Sequence, residues 1–197
     1  AGMCAYDVEL AWLSGMLHDV GRFEQIKRYN TFSDADSVDH AKFGADLLFK
    51  DGLISTFLNG MVKCTGYKPG ALEDRYSSDG VFLYDRLNKS DMEMLELAIR
   101  CHNMYRIPQG LNRREQAFCN VLRDADKVDI FKVNIDTPLE EIYNTTTEEL
   151  MKSDITDEVL EAFDEEHCIL KAIRRTPADT VIGHVSLAYE LVYDESV

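Results

Sequence analysis

At 197 residues, with 45% apolar side chains and only four prolines, the chain is long enough for one domain with a substantial core, and no shift in composition divides it. A formal charge of −15 argues against a nucleic-acid polymer as partner, because phosphate binding needs clustered Lys and Arg, and the basic residues here form no long run. The five cysteines are odd in number, scattered and without a Cys-x-x-Cys pair, which suggests neither a disulfide framework nor a zinc ribbon and favours a reducing, cytoplasmic setting.

No apolar run reaches transmembrane length, so no membrane span is expected. Asp7 is placed to cap a first helix whose stripe runs Val8, Ala11, Trp12, Gly15, Met16, with Leu10, Leu13 and Leu17 beside it. That helix is apolar nearly all round, as a central one would be, and Gly21 is expected to end it. The polar stretch from Tyr29 to Asp36 reads as a loop. Ser37 or Asp39 then starts a second helix, which closes at Asp51-Gly52. A third helix is expected from Ile54 to about Cys64, followed by a long irregular connection from Gly66 to Asp85. Ser90-Asp91-Met92-Glu93 has the form of a capping box, and Asn112-Arg113-Arg114-Glu115 resembles a second one. Thr137-Pro138 and Thr176-Pro177 each set a cap before a proline, so the last third should be helical too. These elements predict an all-α protein.

The doublet His18-Asp19 ends the apolar run of the first helix, and a buried charge is tolerated mainly when it is paired or coordinates a metal. His102 follows Ile99 by three and Leu95 by seven, which places it on the buried face of its helix. His40 shares a face with Phe43 and Leu47. Asp126 follows Leu122 by four and lies on an apolar stripe, although periodicity alone does not separate it from Asp129; Asp124 lies off the stripe and should be solvated. A single histidine on such a face is more often a hydrogen-bonded core residue than a ligand. Four helices that each direct a His or Asp inward point instead to a metal site, and nitrogen with carboxylate donors suits a first-row transition metal better than calcium. His167, in an acidic stretch, and His184 read as structural, and Lys127 as a local charge partner of Asp126.

The segments Leu17-His18-Asp19-Val20-Gly21-Arg22-Phe23-Glu24-Gln25, Ser37-Val38-Asp39-His40-Ala41, Ala98-Ile99-Arg100-Cys101-His102-Asn103 and Arg123-Asp124-Ala125-Asp126-Lys127-Val128-Asp129, in this order, resemble the HD-domain metal-dependent phosphohydrolases. The resemblance covers about residues 7–135 of a single expected domain over 1–197; about 138–197 would be additional helices. It implies a helical bundle with an interior metal site, in which His18, Asp19, His40, His102 and Asp126 are the ligands and Asp19 is able to bridge two ions. Arg22 would contact phosphate, with a surface salt bridge as the alternative, and Glu24 and Arg106 would line the pocket. The implied cofactor is one or two divalent transition-metal ions (Fe, Mn, Ni, Co or Zn), with Mg as a further candidate. The implied substrate is a small phosphomonoester or nucleotide, cleaved by metal-activated water.

In one respect the chain departs from the family. A further ligand His usually lies on a helix before the His-Asp helix, and residues 1–17 contain none. The expectation is either that the chain continues upstream or that the site has one ligand fewer. In the second case a catalytically degenerate domain, binding a nucleotide or a protein partner, becomes the alternative reading.

Overall fold

A computed structural model describes residues 3–64 and 87–196, and every regular element among them is helical. The irregular connection expected at 66–85 lies outside the described residues. Contacts divide the chain into two compact units, Ala1–Leu122 and Arg123–Val197.

The first unit begins with α1 (Ala5–Leu17), capped by Cys4 and not by Asp7, whose carboxylate instead takes an ion pair from Arg114 at 2.8 Å. α1 buries Leu10, Leu13, Ser14 and Leu17 but leaves Val8, Trp12 and Met16 exposed, so the expected all-round burial is corrected to a single buried stripe. It stops at Leu17, four residues before Gly21, and α2 (Val20–Tyr29) starts directly after the His18-Asp19 turn. α2 ends on Asn30 in the left-handed region, and the loop that follows reaches Asp39, whose side chain caps α3 (His40–Ala45) by accepting from the Lys42 amide at 3.2 Å. α3 runs on through a π-type turn, Asp46–Lys50, to Gly52 at φ +80°. Its buried face is His40, Ala41, Gly44, Ala45 and Leu48; Phe43 and Leu47, the expected neighbours of His40, are only half-buried.

Gly21 does not end a helix; it lets two helices touch. A Cβ there would lie 2.3 Å from the His40 carbonyl oxygen and 2.8 Å from the Gly44 amide nitrogen, so α2 and α3 meet backbone to backbone. α4 (Leu53–Cys64) follows, and α5 (Lys89–Cys101) packs on both α3 and α1. The capping box of α5 is set by Asn88 and Asp91, two residues earlier than the Ser90–Glu93 pattern, because Asp91 is also fixed by Tyr6 Oη at 2.6 Å and Arg114 at 2.7 Å. α6 (Arg113–Asp136) opens with the expected Asn112–Glu115 exchange. Leu10, Leu13, Leu48, Leu95, Ile99, Phe118 and Leu122 form the core of this unit. Burying seven such side chains contributes about 1.5–3 kcal/mol each before entropy is counted.

The second unit holds the end of α6 and the short helices α7 (Leu139–Tyr143), α8 (Thr147–Lys152), α9 (Asp157–Asp164) and α10 (Pro177–Val185). Thr176 caps α10 ahead of Pro177, as expected, whereas Pro138 is itself the cap residue of α7. Asp179 is wholly buried and accepts from the amides of Thr156, Arg175 and Thr176 at 2.8–3.1 Å, which ties the start of α9 to the start of α10. No described helix is long and apolar enough to cross a membrane.

Candidate metal centre

Three histidines in the first unit share one local device. His18 and His102 cap the C-terminal ends of α1 and α5, where the last carbonyls of a helix lack partners, and each donates Nδ1–H to the carbonyl three residues back: Gly15 at 2.7 Å and Ile99 at 2.8 Å. His40 opens α3 and donates Nδ1–H to the Asp34 carboxylate, 2.7 and 2.9 Å from its two oxygens. Each ring thus commits its Nδ1–H to a protein acceptor and turns Nε2 toward the other two.

Those Nε2 atoms converge. His40 Nε2 and His102 Nε2 are 3.1 Å apart, and both residues are 4% exposed. Where both rings carry a proton on Nδ1 alone, the two Nε2 atoms do not hydrogen-bond to each other, and their spacing is one that two ligands of a single cation adopt. Asp19 Oδ1 stands 3.3 Å from His40 Nε2 and 3.6 Å from His102 Nε2; this oxygen is buried and has no hydrogen-bond partner, although about half of the Asp19 side chain reaches solvent. Asp19 Oδ2 faces His18 Nε2 at 3.8 Å. Burial alone would raise the Asp19 carboxyl, but the contacts of His102 and His40 and the nearby His18 outweigh it and hold the group well below the usual carboxylate range. Donors bound at about 2.0–2.1 Å to one ion, at angles of about 90–120°, stand about 2.9–3.6 Å from one another, so Asp19, His40 and His102 fit a transition-metal ion.

Residues that sequence reasoning did not single out hold this arrangement. Gln25, fully buried on α2, donates to Asp34, to Ser37 Oγ and to the Val38 carbonyl at 2.9–3.0 Å. Asn103 donates to Asp39 at 3.0 Å and to Asp34 at 3.4 Å. The signal available for Gln25 was its spacing, four residues after the contact glycine and so on the same buried face of α2.

Arg22 lies beside the cluster, its Nε 3.8 Å from Asp19 Oδ1, and its Nη1 donates to the Phe32 carbonyl at 2.7 Å, to Asp34 at 2.9 Å and to Gln25 at 3.1 Å. Glu24 is engaged by Lys27 and Arg28 along its own helix. Arg106 is exposed, with its guanidinium over the Tyr105 ring. Neither of these two is joined to the cluster by a hydrogen bond or ion pair.

Asp126 belongs to the second unit, half-buried on α6, and its place among the ligands rests on the resemblance. Asp129 is exposed. Asp124, expected in solvent, is 2% exposed, because its carboxylate accepts from the amides of Val192 and Tyr193 at 2.9–3.1 Å. Lys127 is also buried, and desolvation pushes its ammonium down from the ordinary value. His167 pairs with Glu165 at 2.9 Å, and His184 donates to the Tyr143 hydroxyl at 2.9 Å, while that hydroxyl donates to Asn134. A cleft of about 530 Å³ in the second unit, lined by Tyr143, Arg174 and Thr176 among others, contains none of the proposed ligands.

Compared with known proteins, the chain matches no family model, no curated protein and no solved structure significantly.

Proposed function

We propose that the chain is a metal-dependent phosphohydrolase of the HD-domain kind, acting on a small phosphomonoester or nucleotide. The observation that carries the reading is the convergence of His40 Nε2, His102 Nε2 and the unpartnered Asp19 Oδ1, three donors whose second atoms or outer partners are already assigned. His40, His102 and Asp19 would hold one ion. His18, facing the other oxygen of Asp19, would serve a second, and Asp126 is carried as a further ligand from the resemblance alone.

A divalent transition metal, when bound, supplies positive charge for phosphate oxygens and lowers the pKa of water it contacts. The chain's own residues do the rest. Asp19 presents one oxygen to the buried histidines while much of its side chain faces solvent, so substrate and water approach from the Asp19 side. Arg22 sits at that edge and adds a positive charge near Asp19. Hydrolysis transfers the water oxygen to phosphorus, breaks the P–O ester bond, and leaves the water proton on the departing alcohol; the cluster is made of imidazoles and a carboxylate, and none of them needs to become phosphorylated.

Elemental analysis of protein purified without chelator tests this directly, beside the isosteric variant Asp19→Asn and a screen of phosphate esters. One or two transition-metal ions per chain, lost in the variant, together with ester cleavage that chelation removes and metal restores, is the expected result. Metal without cleavage of any ester would leave the degenerate, ligand-binding domain. Absence of metal would overturn the catalytic reading and leave a binding or structural role.

A further inference from the structure

We propose that Asp34 is a positioning residue of the metal centre: its carboxylate holds His40 in the orientation and tautomer that turn Nε2 toward Asp19 and His102. The inference rests on the metal reading above and concerns a loop residue with no place in it.

The reason His40 needs such a partner lies in where each histidine sits on its helix. His18 and His102 stand at C-terminal ends, where spare carbonyls accept their Nδ1–H. His40 is the first residue of α3, an end that offers amide donors and no free carbonyl. An acceptor has to come from elsewhere, and Asp34 brings both carboxylate oxygens to within 2.7 and 2.9 Å of Nδ1. A charged acceptor fixes the tautomer more firmly than a carbonyl does and makes the opposite nitrogen a better donor to a cation.

Closing the loop does not require Asp34. Gln25 already bonds Ser37 Oγ and the Val38 carbonyl, and Ser37 Oγ donates to the Ser33 carbonyl at 2.6 Å. Asp34 is itself braced, by Arg22 at 2.9 Å and Gln25 at 3.0 Å, so the orientation it imposes on His40 is rigid. The loop from Asn30 to Asp39 therefore serves the centre through its acid.

The test compares wild type, Asp34→Asn and, as a control for charge removal in the same loop, the exposed Asp36→Asn. Three quantities are read: Co²⁺ affinity by chelator competition at fixed pH, melting temperature of the metal-free protein, and the His40 tautomer by nitrogen-detected NMR of the metal-free protein. The expected result for Asp34→Asn, whose uncharged amide accepts more weakly and can turn its NH2 toward His40 instead, is Co²⁺ affinity about 10–100-fold weaker, a His40 ring that no longer holds a single Nδ1–H form, and a modest fall in melting temperature from the lost Arg22 charge pair; Asp36→Asn matches wild type. Wild-type affinity and tautomer in Asp34→Asn, with or without a lower melting temperature, would overturn the proposal and leave Asp34 a loop staple. If the wild-type protein binds no Co²⁺, the metal reading falls, and the tautomer measurement still decides whether Asp34 governs His40.

Discussion

Arg22 carries one amino group against three acceptors at once, the Phe32 carbonyl, Asp34 and Gln25, so its charge fastens the loop that delivers Asp34 to His40. A lysine keeps the charge, but its side chain is one atom shorter and its ammonium stops short of the position from which Nη1 reaches all three acceptors. Arg22→Lys should therefore lower the melting temperature, by an amount corresponding to about 1–2 kcal/mol, and weaken metal binding with it. A raised KM with unchanged melting temperature would instead assign Arg22 to the phosphate, the role the sequence resemblance implied. That contrast shows which residues sequence alone makes legible. His18, His40 and His102 stand out because a histidine on an apolar stripe is anomalous, and Asp19 because it adjoins one of them. Asp34 lies in a polar loop where an aspartate is ordinary and no periodicity marks its direction. Asp124 was misjudged for a related reason: its partners are amides almost seventy positions away, which no helical period can reveal.

The crossing of α2 and α3 carries His40 to the His18-Asp19 turn, and it depends on two glycines. At Gly21 an added methyl would collide with backbone on both sides, 2.3 Å from the His40 oxygen and 2.8 Å from the Gly44 nitrogen, so neither neighbour can turn away. Gly21→Ala should destabilise the protein by about 3 kcal/mol and weaken metal binding, because the segment that moves begins with His40. Gly15, inside α1, has nothing within 4 Å of the same methyl. Gly15→Ala should stabilise by about 0.5–1 kcal/mol and leave metal affinity unchanged, since the carbonyl that His18 uses is retained. Thermal melts and metal titrations of the two variants check the pair; equal destabilisation of both would remove the argument from close approach. The sequence showed Gly21 as a punctuating residue but not its role, because a helix-ending glycine and a contact glycine look alike until the partner helix is known. The cap of α5 was similarly displaced from Ser90 to Asn88, since the decisive pull on Asp91 comes from Tyr6 and Arg114, both distant in sequence. Short-range patterns located the helices well where the local cap coincides with the observed start, as at Asn112 and Thr176.

Among the described residues an all-helical composition was legible from periodicity, whereas the breaking of the C-terminal third into four short α-helices and 3-10 turns after α6 was not, because its order comes from buried polar groups such as Asp179 and Ser186. Such groups make stability sensitive to acid. His184 is half-buried, with the cations Arg174 and Lys171 near it and Tyr143 against its ring; desolvation first, then those two charges, push it from 6.5 down to about 4. A histidine held below its unfolded value is neutral in both states above pH 6.5 and contributes no pH dependence there. As pH falls from 6.5 toward 4 the unfolded chain takes up the proton and the folded one does not, so stability declines across that window and levels off once the folded form also titrates. The window sets a ceiling of about 3 kcal/mol on the loss, which partial exposure reduces to about 2. Below it Asp179 acts in the same direction: burial would raise its carboxyl, the amides of Thr156, Arg175 and Thr176 hold it down, and protonating it removes the acceptor that joins α9 to α10. Melting temperatures measured against pH should therefore be flat above pH 6.5 for this contribution, fall between 6.5 and 4, and fall again below. His184→Gln keeps a donor for the Tyr143 hydroxyl and should flatten the upper step while leaving the lower one; an upper step of the same size in that variant would show that other groups produce it.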